Sequence, residues 1–163
     1  MYRESYIEEL NKHFGSDQRR INHALMVLGY ADSIMDGEAV GPDLRKVITI
    51  TALLHDVGIK SAEQKYNSAA GKYQELEGPA IVREILYRQG EPQELVERVA
   101  YIVGGHHTAA KNDGLDFQII WEADLLVNIE EDGIAKQCSD MKKIIKRNFR
   151  TATGIRIAEE RYL

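Results

Sequence analysis

Cysteine is nearly absent from this chain. Cys138 is the only one in 163 residues, so no intrachain disulfide is possible and the reducing cytoplasm is the expected compartment. Proline is scarce as well, and three prolines leave room for long helices. No stretch approaches the roughly 18 consecutive apolar residues of a membrane span, so no membrane partner is expected. The opening MYRESYIEELNKHF is charged where a signal peptide would be apolar, which again points to the cytoplasm. Nor is positive charge in excess: the net charge is -5 and the sequence pI ≈ 5.6. Duplex nucleic acid is held by neutralising many phosphates, so a duplex partner is not expected. A small anionic substrate remains compatible, because a bound dication inverts the local field. Internal repeats, low-complexity tracts and a compositional break are also missing, and the length suits a single domain over 1–163.

What is present is an ordinary globular balance, 44% hydrophobic and 29% charged. A chain of this length buries roughly 70% of its extended surface, enough for a core without covalent staples. Apolar residues recur at helical spacing from end to end, and period-2 alternation bounded by hairpin turns is absent. The expected fold is therefore all-α, a helical bundle of about seven to eight helices. They cover about 3–14, 17–35, the stretch after GEAVGPD to His55, 74–89, 92–103, 116–130, 137–149 and 154–162. Ser16 or Asp17 is the expected N-cap of the second helix. Gly58 is the expected left-handed cap after the third. Residues 59–71 and TAAKNDGLD have no clear period and read as loops. Pro79 is tolerable only near a first turn or at a kink.

Four of the five histidines fall where burial is expected. His23 lies within the apolar second helix, and His55 continues the apolar stripe of the third. His106 and His107 each follow an apolar residue by four positions. His13 sits at the end of the first helix and reads as a surface residue without a role. Asp124 falls in FQIIWEADLLVNI beside Ile120, Trp121 and Leu125. An ionised carboxylate there costs several kcal/mol of desolvation unless it is paired or bound to metal. Taken singly, a buried histidine is more often a hydrogen-bonded core residue, and His55-Asp56 serves equally as a helix-end cap. Taken together, three helices carrying buried polar groups favour a cation. Imidazoles with carboxylates suit Zn, Mn, Fe, Co or Ni, and carboxylate oxygen also accepts Mg. Such a set leaves positions open for water and substrate. The two oxygens of Asp56 allow one or two ions.

The histidine of INHALMVLGYAD, then LLHDVG, then EADLLVN resembles the H…HD…D signature of the HD domain superfamily of metal-dependent phosphohydrolases. The resemblance spans about Asn22 to Asn128, and the tail FRTATGIRIAEERYL is similar to the Thr-Gly turn and last helix that close many such domains. It implies an all-helical fold and hydrolysis of phosphate esters, often in nucleotides. By position it implies His23, His55, Asp56 and Asp124 as metal ligands. Binuclear members add a histidine in the middle helix and a pair before the last aspartate. His106-His107 match that pair. The middle histidine is missing, and Gln74, Glu75 and Glu77 are the candidates in its stead, with Glu77 or Glu75 as an oxygen ligand.

Two branches of the superfamily do not fit. The cyclic-di-GMP phosphodiesterases carry a Gly-Tyr-Pro element after the histidine pair and a lysine where this chain has Ile59. The deoxynucleotide 5′-nucleotidases carry an acidic pair where Ile59 and Gln64 stand. The expected activity is hydrolysis of a phosphoester in a small, nucleotide-like molecule. Asp56 is the central catalytic group and Lys60 a phosphate contact or proton donor, while Lys65, Lys72 and Lys111 lie in or beside the loops. The alternatives are a di-iron oxygenase of HD-domain type and a non-catalytic nucleotide or metal sensor.

Overall fold

A computed structural model describes residues 1–137 and 140–163; Cys138 and Ser139, within the expected 137–149 helix, lie outside them. All regular structure among the described residues is helical: α1 (Tyr2–Phe14), α2 (Gln18–Gly37), α3 (Pro42–Leu54), α4 (Ile59–Tyr66), α5 (Gly71–Arg88), α6 (Gln93–Val103), α7 (Leu115–Glu131), α8 (Ile134–Gln137), α9 (Met141–Asn148) and α10 (Ala152–Tyr162). One 3-10 turn, Ala109–Lys111, interrupts the segment between α6 and α7. No helix among the described residues is long and apolar enough to cross a membrane.

Local chemistry explains the boundaries. Asp17 caps α2 by accepting from the Arg20 amide at 3.3 Å. α3 begins with Pro42 in its first turn, where the missing N–H costs nothing. The apolar faces of α2, α3 and α7 meet in one continuous core that includes Val27, Ile34, Ile48, Leu54, Phe117 and Val127. The site grows from the rim of this three-helix centre.

Three expectations change here. The polar stretch after the third helix is not one long loop, because Ile59 and Ala62 bury one face of α4 and Asn67 ends it in the left-handed region, φ 52. With the four-residue α8, the described residues form ten α-helices, the two short ones added to the expected bundle. Gly58 is not a left-handed cap: its φ is -76. Its role is close approach, since a Cβ there would lie 2.5 Å from the Gln74 carbonyl oxygen and 2.7 Å from the Gly78 nitrogen. Pro79 stands inside α5, past the first turn, where its ring packs against Gly104; a Cβ on that glycine would come within 3.0 Å of it. These two glycines let α5 lie against both the turn after α3 and the end of α6.

The chain end is fastened by a buried acid. Glu122 on α7 is fully buried and accepts from the Gln118 amide (2.6 Å), the Arg150 and Thr151 amide nitrogens (2.9 and 3.0 Å) and the Thr151 hydroxyl (2.6 Å). Four donors on one carboxylate replace its lost hydration. α10 is thereby tied to the helix that carries Asp124.

Candidate metal centre

Three segments converge at one end of the core. α2 contributes His23, the turn after α3 contributes His55 and Asp56, and α7 contributes Asp124. His23 Nε2 lies 3.2 Å from His55 Nε2, 3.1 Å from Asp124 Oδ1 and 3.3 Å from Asp56 Oδ2. His55 Nε2 is 3.4 Å from both carboxylate oxygens. The aspartates are not sealed, with side chains 15% and 13% exposed, so solvent reaches the cluster from one side. No lysine or arginine among the described residues pairs with Asp56 or Asp124.

Hydrogen bonding fixes the tautomers. His55 Nδ1 donates to the Ala52 carbonyl at 2.8 Å and His106 Nδ1 to the Val103 carbonyl at 2.7 Å. His23 Nδ1 donates to Glu131 Oε2 at 3.1 Å. In neutral rings each Nε2 therefore carries a lone pair. Two lone pairs and two carboxylate oxygens, all within 3.4 Å of His55 or His23, repel unless a cation stands among them. The donor set fits a divalent ion. Ligand bonds of about 2.1 Å separate neighbouring donors by about 3.0 Å in an octahedron and about 3.4 Å in a tetrahedron.

Without an ion, protons take that place. Burial opposes a charged His55, but Asp56 and Asp124 outweigh it and raise its pKa to about 10. His23 moves the same way, burial being overcome by its hydrogen bond to Asp124. Burial would raise both acids, yet the histidines hold Asp56 at about 2 and Asp124 well below its ordinary value. Each group is charged because its neighbours are.

Asp56 faces two ways. Its second oxygen, Oδ1, lies 3.4 Å from His106 Nε2, a buried nitrogen with no hydrogen-bond partner. His107 follows, with Nε2 donating to Gln74 Oε1 at 3.0 Å, and burial together with His106 lowers its pKa to about 4. Asp56, His106 and His107 thus form a second potential donor group that shares Asp56 with the first. Of the three middle-helix candidates, only Gln74 reaches it. Glu75 accepts from the His107 amide and the Thr108 hydroxyl, at 3.0 and 2.8 Å. Glu77, its side chain largely covered, is neutralised by Lys65 at 2.5 Å.

The structure does not bring Lys60 to the cluster. Its ammonium donates to the His13 carbonyl at 3.3 Å, on the outer side of the turn. His13 is not a free surface residue either: its Nε2 donates to the Val57 carbonyl at 2.8 Å, bracing the segment that follows Asp56, and burial lowers its pKa. Lys72 lies 4.9 Å from the Tyr73 ring and Lys111 donates to the Gly104 carbonyl at 3.2 Å, both away from the four donors. The cationic groups at the mouth are instead Arg19 and Arg20, which line a cavity of ≈ 320 Å³ with His23, Asp56 and Asp124. Arg20 is held by Asp17 and Glu63, at 3.2 and 2.6 Å. Two participants had a sequence signal. Arg19 precedes His23 by four residues and Glu131 follows Asp124 by seven, so each shares a helix face with a donor.

Comparison with known proteins gives a consistent result. Residues 20–147 match the HD domain family. A crystal structure of a predicted HD superfamily hydrolase from an uncultured Thermotogales bacterium is similar, with a TM-score of 0.72 over 98% of this chain and 84% of that one. At 21% identity that likeness shows a shared fold. No curated protein matches in sequence.

Proposed function

The chain belongs to the HD domain family, and from that premise we propose that it is a metal-dependent hydrolase of phosphoesters in small, nucleotide-like molecules. The observation that carries this reading is the meeting of His23, His55, Asp56 and Asp124, with donor separations of 3.1 to 3.4 Å, where His23, Asp56 and Asp124 line an open cavity and His55 lies buried beneath them. His23, His55, Asp56 and Asp124 would hold a divalent ion there, with Zn, Mn, Fe, Co, Ni or Mg suiting the donors, and it would supply Lewis-acid polarisation of a phosphoryl oxygen and a more acidic water.

The protein supplies the remaining parts. Asp56 and Asp124 hold the negative charge that retains the cation. Glu131 orients the His23 ring, as acids beside metal-binding histidines commonly do. Arg19 puts positive charge on the cavity wall, where a phosphate's remaining oxygens need it, while Arg20 beside it is already paired with Asp17 and Glu63. Lys60 donates to the His13 carbonyl in this structure and stands outside the donor cluster.

Purified protein should contain stoichiometric metal and cleave at least one nucleotide or sugar phosphate, with loss of turnover on chelation. Asp56→Ala should lose metal-dependent turnover with little change in helical content. Full activity in that variant would refute the proposal.

One observation favours testing a second chemistry. The unpartnered Nε2 of His106 beside Asp56 Oδ1 supplies donors for a second ion, the arrangement a di-iron oxygenase needs. Oxygen uptake by iron-loaded protein, with no phosphoester cleaved under Mn or Mg, would favour it.

A further inference from the structure

The cluster has a second opening, and its lining differs from the first. Beyond the arginine-bearing cavity, a smaller pouch of ≈ 160 Å³ is lined by Trp121, Asp124, Leu125, Asn128 and Asn148, with the His106-His107 pair at its inner end. His107, Asp124 and Asn128 line both spaces. The pouch is thus continuous with the donor group through shared side chains. It holds the volume of about five waters, the size of one heterocycle rather than of a whole drug-sized ligand.

Its wall follows from the register of α7. Trp121, Asp124, Leu125 and Asn128 recur at i, i+3, i+4 and i+7, so one helix strip carries an indole, a metal-site carboxylate, an aliphatic side chain and an amide. All four are half-buried, whereas Ala123, Leu126 and Val127 turn into the core. The indole is held in place: Trp121 Nε1 donates to Asn148 Oδ1 at 3.2 Å, and the Asn148 amide donates to the Ile144 carbonyl at 2.9 Å. No aromatic ring or cation among the described residues stacks on Trp121. Asn128 makes no side-chain hydrogen bond among the described residues. It therefore offers one donor and one acceptor to whatever enters, the pair of groups with which an amide reads the edge of a base.

We propose that this pouch binds the planar heterocycle of the substrate, a nucleobase, stacked on Trp121 and read by Asn128. The assignment rests on and deepens the hydrolase reading by giving the leaving group a defined seat beside Asp124, with Arg19 on the wall of the adjoining cavity. It also explains why the indole is fixed without being sealed into the core.

Trp121 is the only tryptophan in the chain, so its emission reports on the pouch alone. Titration with uncharged nucleosides, which carry no phosphate and require no turnover, should quench that emission saturably, and ribose 5-phosphate should not. Calorimetry should show Trp121→Ala weakening nucleoside binding about 5- to 150-fold, the worth of one base–aromatic stack. Trp121→Phe should retain most of the affinity, which separates stacking from general damage to α7. Asn128→Ala should reduce discrimination among bases more than overall affinity. Nucleoside binding without cleavage of any phosphoester would leave the pouch standing and remove the hydrolase reading. Phosphoester cleavage with no nucleoside quenching, and equal kcat/KM for nucleotides and glycerol phosphate, would overturn the pouch and leave the hydrolase.

Discussion

Replacing Glu131 by glutamine separates metal binding from folding, because the two respond with different sizes and signs. Glu131 is the last residue of α7, and its side chain is 30% exposed. A carboxylate near a helix C-terminus is disfavoured by the macrodipole, so neutralising it returns about 0.3–1 kcal/mol. Losing the charge of the part-buried pair with His23, whose hydrogen bond glutamine can still accept, costs about 0–1 kcal/mol. These offset, and the metal-free protein should melt within about 4 °C of the parent at the ~2–4 °C per kcal/mol expected for this length. Metal binding has no such compensation. The Glu131 carboxylate fixes the His23 ring at 3.1 Å with its lone pair toward Asp124, and acids of this kind contribute about 10- to 100-fold in metal affinity. That factor is about 1.4–2.7 kcal/mol, so the extra melting temperature conferred by saturating metal should shrink by about 3–11 °C. Calorimetric melts with and without metal, joined to chelator competition, measure both quantities. Equal falls in the two melting temperatures, with unchanged metal affinity, would show that Glu131 is only a structural contact.

The metal-free protein should be most stable near pH 6.5. His55 is raised to about 10 and His23 is raised, so their contribution is complete below the ordinary histidine value and drains away as pH climbs toward 10. His107 is lowered to about 4, so it withdraws stability as pH falls from 6.5 toward 4. Asp56, held at about 2, begins to fail only below the ordinary carboxylate range. Urea midpoints across pH 4 to 10 test this, and a stability that rises steadily from pH 7 to 9 would contradict it. Gly58→Ala should destabilise by about 1–3 kcal/mol, because the added carbon meets backbone at 2.5 and 2.7 Å. Its φ of -76 suits alanine, so a neutral or stabilising result in thermal melts would mean that α5 does not press on this turn.

The parts of the site that could be read from sequence are those where polarity contradicts its surroundings. His23, His55 and Asp124 each interrupt an apolar stripe, and periodicity marks them as buried groups in need of partners. The all-helical fold was legible for the same reason. Glu131 and Arg19 gave no such contrast, since a charged residue near a helix end or in a first turn is what solvent would also select. Adjacency along the chain says nothing of direction: the turn that brings Asp56 to the cluster leaves the Lys60 ammonium on the His13 carbonyl. Glu77 likewise meets Lys65, while Gln74 turns to His107. α4 escaped notice because so short a helix needs only Ile59 and Ala62 to bury a face, too few residues to establish a period.

The donors around Asp56 are dispersed along the chain, and this bears on when the ion arrives. His23 and His55 are 32 positions apart, and Asp124 lies 101 from His23. Before folding, only the neighbours His55-Asp56 and His106-His107 can act as local chelates, and two donors make a feeble one. The apolar centre around Val27, Leu54 and Val127 closes without them. Unlike a zinc finger, whose metal and fold arrive together, an ion bound here would meet donors that the fold has already assembled. Its selection would then rest on that cradle and on whatever ions the surroundings hold at that moment.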